Sequence, residues 1–149
     1  MDHDHYPDAY LRDILARTRR IALVGASLEP SRPSHYVMQF LLERGYEVAP
    51  VNPTIAGQEI HGQKVLASLA EVPPPIDLVD VFRNSQAAAR VTDEAIAAGA
   101  KAIWMQMGVR NDEAASRAEA AGIKVVMNRC PKVEFPRLFG SRTVAEIAA

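Results

Sequence analysis

The sequence predicts an α/β protein built on a doubly wound parallel sheet of about five strands, in three layers α/β/α. Two patterns carry this reading. A phrase recurs in which a helix-like segment ends in glycine and an apolar or β-branched run follows at once: Leu41 to Val48, Ile96 to Ile103 and Glu119 to Val126. Glycine there takes the left-handed conformation that closes a helix, so each phrase reads as a helix-to-strand junction. The strand candidates are also short and almost continuously apolar, with weak period-2 alternation. That is the pattern of strands covered by helices on both faces.

Taken in order, an N-terminal helix is predicted over about residues 8–18, followed by strand one at Arg20 to Val24. Helix Pro33 to Arg44 places Val37, Phe40 and Leu41 on one face at i, i+3, i+4 spacing. Strand two is Glu47 to Val51. Thr54 to Gly62, with two glycines and little periodicity, reads as a surface excursion, and Leu66 to Val72 as a short helix before Pro73-Pro74-Pro75. Strand three (Ile76 to Phe82), a helix (Ser85 to Ala98), strand four (Lys101 to Met105), a helix (Asp112 to Ala121) and strand five (Ile123 to Met127) complete the core. A short tail follows. Right-handed crossovers with strand order 3-2-1-4-5 would put a ligand at the carboxyl edge, at the switch between strands one and four.

The 149 residues fit one domain, with a core over about residues 20–140. With 48% hydrophobic and 23% charged residues, 10 Pro and 8 Gly, the chain is neither collagen-like nor disordered. Its 17 basic and 18 acidic residues leave a formal net charge of -1, so no global field draws it to nucleic acid or anionic lipid. Cys130 stands alone, without a partner for a disulfide or a multi-thiolate zinc site, which suits a reducing compartment. The acidic start Met1-Asp2-His3-Asp4-His5 lacks the apolar core of a secretory signal, and no apolar stretch reaches the roughly 18 residues of a membrane span. A cytoplasmic protein without nucleic-acid or membrane partners is expected. Asp2-His3-Asp4-His5 reads as a frayed terminus rather than a metal site. His35 and His61 lack partners at a metal or triad spacing.

Residues at the predicted carboxyl edge suit an anionic ligand. Gly25 permits a sharp turn, Ala26 allows close backbone approach and Ser27 adds a hydroxyl. Pro33 fits the first helical turn, so amides near Ser34 and His35 would face an anion along the helix dipole, beside the Arg32 guanidinium. Neither Gly-x-Gly-x-x-Gly nor a P-loop signature is present, and a purely structural tight strand-to-helix turn at Gly25 is the lesser alternative. Strand two ends in Asn52-Pro53, where an NAD-binding domain usually places a carboxylate. A phosphorylated ribose is then tolerated, with Arg20, Arg32 or Lys64 as counter-charges, unless Asn52 is simply a turn residue. Phe82 and Arg83 suit an adenine ring and a phosphate, or else core and solvent. Met107 and Gly108 follow strand four, with Asn84 or Ser85, and Asn111, as helix caps. Cys130, flanked by Arg129 and Lys132, is either a reactive thiol or a packed turn residue.

Taken together, Val24-Gly25-Ala26-Ser27, Arg32-Pro33-Ser34, Gly45-Tyr46-Glu47-Val48, Val51-Asn52-Pro53, Val79-Asp80-Val81-Phe82-Arg83, Gly108-Val109 and Asn128-Arg129-Cys130-Pro131 resemble the small stand-alone CoA-binding domain family over about residues 10–140. That family is similar to the nucleotide-binding domain of the succinyl-CoA synthetase α-subunit, which implies a Rossmann-like CoA site. By this resemblance Gly25, Ala26, Ser27, Arg32, Pro33 and Ser34 would hold the CoA phosphates, and Asn52 and Pro53 would flank the ribose. Phe82 and Arg83 would line the adenosine side, and Met107 and Gly108 the path toward pantetheine. The ligase also needs a domain with a phosphorylatable histidine and a nucleotide-triphosphate-handling subunit, neither of which fits in this chain. The resemblance therefore implies a non-catalytic accessory, carrier or sensor of CoA or acyl-CoA. An NAD(P)-binding redox sensor, or acyl and disulfide chemistry through Cys130, are the alternatives.

Overall fold

A computed structural model describes residues 1–148. The elements are α1 (Asp8–Arg17), β1 (Arg20–Val24), α2 (Pro33–Glu43), β2 (Glu47–Val51), β3 (Glu59–Ile60), β4 (Gln63–Lys64), β5 (Leu78–Val81), α3 (Ser85–Ala97), β6 (Ala102–Met105), α4 (Asp112–Ala120), β7 (Lys124–Val126), α5 (Pro131–Phe139) and α6 (Val144–Ile147). Single 3₁₀ turns occupy Pro53–Ile55 and Leu69–Glu71. β3, inside the expected excursion, and β4, just past its end, form a small antiparallel hairpin that opposes Glu59 to Lys64.

The main sheet is parallel, in the order β2-β1-β5-β6-β7. Its alternating residues fill two cores, which explains the weak period-2 signal. Ile21, Leu23, Leu78 and Trp104 pack under α1, α2 and α5, while Ala22, Val24, Val79 and Ile103 pack under α3 and α4. Both faces are apolar because both are covered. At the amino edge, Asp77 Oδ2 accepts from the backbone N–H groups of Arg19 (2.9 Å) and Arg20 (3.0 Å), pinning the start of β1.

The doubly wound α/β class is as expected, but the strand order is not 3-2-1-4-5. Numbering only the five sheet strands, it is 2-1-3-4-5, because β5 pairs with β1 and leaves β2 at the edge. Pro50 supplies the physical reason. Glu47 N–H donates to Arg19 and Gly25 N–H to Val51, so the odd residues of β2 face β1 and Pro50 faces outward. A residue without an N–H suits that edge position and would leave a gap in a ladder shared with a further strand. The chain leaving the β3-β4 hairpin covers this edge instead. Leu66 N–H donates to Pro50 (2.9 Å) and Asn52 N–H to Leu66 (2.9 Å). The switch point consequently lies between β1 and β5.

The predicted short tail is two helices. Pro131 opens α5 at a position where a missing N–H costs nothing, whereas Pro136 inside the helix breaks the sequence signal of helicity. Phe135 is the anchor. It is fully buried, with the rings of Phe40, Tyr46 and Phe139 at 5.1–6.1 Å between centroids, and truncating such a side chain costs about 3–5 kcal/mol. Val144 N–H donates to Arg44 O (2.7 Å), docking α6 beside the end of α2.

The N-terminus, expected to fray, is docked. β7 is the other edge strand, and the Tyr10 hydroxyl both donates to Val125 O (2.8 Å) and accepts from Val125 N–H (3.0 Å). Tyr6 Oη accepts from Met127 N–H (2.8 Å). His3 bridges Tyr6 and Glu119, and Asp4 pairs with Arg110 at 2.7 Å. Two tyrosines thus satisfy edge groups that would otherwise stand open to another strand. Burial pushes the Tyr10 phenol up to about 12, so the hydroxyl keeps its proton and can donate.

Candidate ligand-binding cleft

β1 ends at Val24 and the chain turns at Gly25, whose φ of 94° falls in the left-handed region. The N–H groups of Gly25 and Ala26 both point at Val51 O (3.0 and 3.3 Å), and Phe82 N–H donates to Val24 O (2.8 Å). The turn therefore sits locked between the tips of β2 and β5. Ser27 Oγ accepts from Glu29 N–H (3.1 Å), leaving its proton free to donate, and His35 Nδ1 donates to Ser27 O (3.0 Å).

Pro33 opens α2, and Arg32 is its N-cap residue with no side-chain cap. The His35 N–H, expected to face an incoming anion, turns back to Arg32 O (3.0 Å) instead. Among the described residues, the N–H groups of Ser27, Leu28 and Ser34 meet no acceptor within the chain; that of Ser34 stands in the first turn of α2, at the dipole's positive end, and those of Ser27 and Leu28 in the preceding loop.

Asn52 shows the turn role that the sequence left open. Its Oδ1 accepts from Thr54 N–H (3.0 Å) and Thr54 Oγ1 (2.8 Å), while Nδ2 donates to Ala26 O (2.8 Å). One carboxamide thus caps the 3₁₀ turn and ties the tip of β2 to the first loop. No carboxylate occupies this tip.

A cleft of about 690 Å³ opens at the β1/β5 switch point, within the range of small-ligand sites. Gly25, Ala26, Ser27, Arg32, Pro33 and Ser34 line it from the first loop and α2, and Asn52, Phe82, Arg83 and Met107 from the other strand ends. Arg32 and Arg83 are exposed, and among the described residues neither guanidinium has a carboxylate within 4.0 Å.

Of the sequence-predicted binding residues, Pro53 and Gly108 do not line this cleft. Pro53 lines a second cleft of about 610 Å³ on the α3 side, which shares Gly25, Asn52, Thr54 and Arg83 with the first. The Gly108 N–H donates to Asn128 Oδ1 (2.8 Å), and the residue lines neither cleft. Nor do the two remaining counter-charges. Arg20 is at the opposite, amino edge of the sheet, paired with Glu47 (3.0 Å) and donating to Pro73 O (2.8 Å), and Lys64 is on the β3-β4 hairpin. Cys130 is the N-cap residue of α5, 7% exposed and packed in the core, and lines neither cleft. Asn84 and Asn111 cap α3 and α4, accepting from Ala87 N–H (2.8 Å) and Ala114 N–H (3.0 Å).

Two polar residues escaped the sequence reading. Gln106 is buried, lines the first cleft, and has no partner for Oε1. Its signal was a single polar residue closing the apolar run Ile103-Trp104-Met105. Asp80 lies in the middle of β5 between Leu23 and Trp104, fully buried with both oxygens unpartnered. Burial pushes its carboxyl well above the usual carboxylate range, favouring the protonated form.

A parallel sheet with a glycine turn and a free helix N-terminus at its switch point defines a Rossmann-like α/β fold. The chain belongs to the CoA-binding domain family, whose sequence model matches residues 19–136. It is 42% identical over 125 residues to the uncharacterized protein YneT of Bacillus subtilis (strain 168), covering 84% of this chain and 91% of that one. A solved structure of a hypothetical protein from Pyrococcus horikoshii OT3 is similar with a TM-score of 0.86 at 42% identity, covering 92% of this chain and 95% of that one. The α-subunit of ADP-forming acetate–CoA ligase I of Pyrococcus furiosus is 30% identical over 95 residues, 61% of this chain but only 21% of that subunit.

Proposed function

We propose that this protein binds coenzyme A or an acyl-CoA along the carboxyl edge of its sheet, as a non-catalytic accessory, carrier or sensor module of the cytoplasm. The observation that carries the reading is the first cleft itself. Two exposed guanidiniums without carboxylate partners, Arg32 and Arg83, flank the open amides of Ser27, Leu28 and Ser34. A diphosphate matches that set. Its oxygens accept from the amides of the first loop and the first turn of α2 while the arginines supply charge-assisted forks. Exposed Leu28 and Met107 give the same cleft an adaptable apolar border suited to a pantetheine chain. Gly25, Ala26, Ser27, Arg32, Pro33 and Ser34 are assigned to the phosphates, and Asn52 to the loop that holds them.

Membership of the family supports CoA over other nucleotides. The β2 tip supports it too, because Asn52 uses its carboxamide on Thr54 and Ala26 where a dinucleotide site would offer a carboxylate to a ribose diol. Burial of Cys130 favours reversible binding over thiol chemistry. Calorimetric titration with CoA and NAD tests the reading. CoA is expected to bind at least about tenfold more tightly, a difference of about 1.4 kcal/mol, and to weaken with added salt. Equal or tighter binding of NAD overturns it.

A further inference from the structure

We propose that Arg90 and Glu94 of α3, at the second cleft, decide whether the ligand's ribose carries a phosphomonoester. This rests on the reading of the first cleft as a CoA phosphate site. The two clefts meet at Gly25 and Asn52, so one molecule with a diphosphate in the first can place its nucleoside in the second. The walls there are Val24, Val51, Ala67, Ala87 and Val91, all small or β-branched and apolar, as a planar heterocycle requires. The polar groups gather differently. Arg83 reaches both clefts, and Arg90 and Glu94 contribute to the second only.

Arg90 makes a single ion pair, with Glu94 one helical turn on (3.3 Å), and its side chain is 89% exposed. Exposed pairs at i, i+4 are weak and easily exchanged. A phosphomonoester dianion offers the guanidinium two oxygens in bidentate geometry, a stronger partner than the carboxylate it leaves. Glu94 then stands beside that dianion and repels it, while a ribose with free hydroxyls finds in Glu94 an acceptor. The two side chains therefore pull specificity in opposite directions. With Arg83 and Arg90 against Glu94 the balance favours the phosphorylated ribose.

The test is calorimetric titration of the full chain and its Arg90→Gln and Glu94→Gln variants with CoA and with dephospho-CoA. Arg90→Gln is expected to weaken CoA about tenfold and to leave dephospho-CoA within about twofold, whereas Glu94→Gln raises the preference for CoA over dephospho-CoA about threefold. Both substitutions break the same ion pair, so a purely structural role would shift both ligands alike in both variants. Tight CoA binding with a preference unchanged in Arg90→Gln, or shifted in the same direction in both variants, overturns this inference alone. Absence of binding of either ligand to the native chain overturns it together with the CoA reading.

Discussion

A methyl group added to Gly25 would lie 2.8 Å from the carbonyl oxygen of Phe82 and 3.0 Å from its carbonyl carbon. Both obstacles are backbone, held by the Phe82 N–H bond to Val24 O, so neither can swing aside. The left-handed φ of 94° adds strain for any side chain. Gly25→Ala must therefore push the first loop away from β5 and with it the amide of Ser27. A fall in melting temperature together with at least about a tenfold loss of CoA affinity is expected, measured by thermal denaturation and calorimetry. A variant that binds like the native chain would show that the turn does not position the site.

Arg32 and Arg83 are exposed cleft residues that fold stability does not need, so their removal separates binding from folding. Arg32→Gln and Arg83→Gln are each expected to weaken CoA about tenfold with an unchanged melting temperature. The dependence of affinity on salt should also become shallower, since a screened charge has been removed. Calorimetry across a salt series reads both effects.

Asp80 predicts the shape of the pH–stability curve. Its folded-state pKa is raised by burial above the unfolded value of about 4. Its contribution to stability is thus full below that unfolded value and is lost as pH rises toward the folded one, by up to about 1.4 kcal/mol per pH unit. Asp80→Asn removes this loss. The variant's advantage in unfolding free energy should grow as pH rises above about 4, and chemical denaturation at several pH values measures it. Asp77 runs the other way. Burial raises its pKa, but the backbone N–H groups of Arg20 and Arg19, with Lys101, more than reverse this and hold it low. Its contribution, lost as pH falls, is common to both chains and cancels in the comparison.

Tyr10 closes the open edge of β7 through both bonds to Val125. Tyr10→Phe leaves a backbone donor and acceptor without partners and is expected to cost about 1–3 kcal/mol. Hydrogen exchange should accelerate at the Val125 amide more than at amides of β1, in the middle of the sheet.

Local patterns carried most of the fold. The glycine-ended junctions and the apolar strands fall within a residue or two of β1, β2, β5, β6 and β7, because caps and buried strands are set by neighbouring residues. Strand order is different, since it depends on which edges meet. The informative residue was Pro50, whose lack of an N–H marks β2 as an edge strand. α5 was hidden by Pro136, and its anchoring by Phe135 is a tertiary effect that no periodicity in so short a helix reveals. At the cleft, residues next to the β1 turn were legible because the turn and the helix start sit in one stretch of sequence. Arg20 and Lys64 were not, since their distance from the cleft is a matter of which end of a strand and which hairpin they occupy. Gln106 was missed for a related reason, as its unpartnered oxygen is visible only once its neighbours are in place.

The location of the CoA site is tested most directly by following backbone amide resonances while CoA is added. The largest shifts are expected at Ser27, Leu28 and Ser34, whose N–H groups have no acceptor among the described residues, with the amides of Tyr10 and Val125 at the far edge unmoved. Shifts confined to surfaces away from the β1/β5 switch point, or none at saturating CoA, would contradict the account.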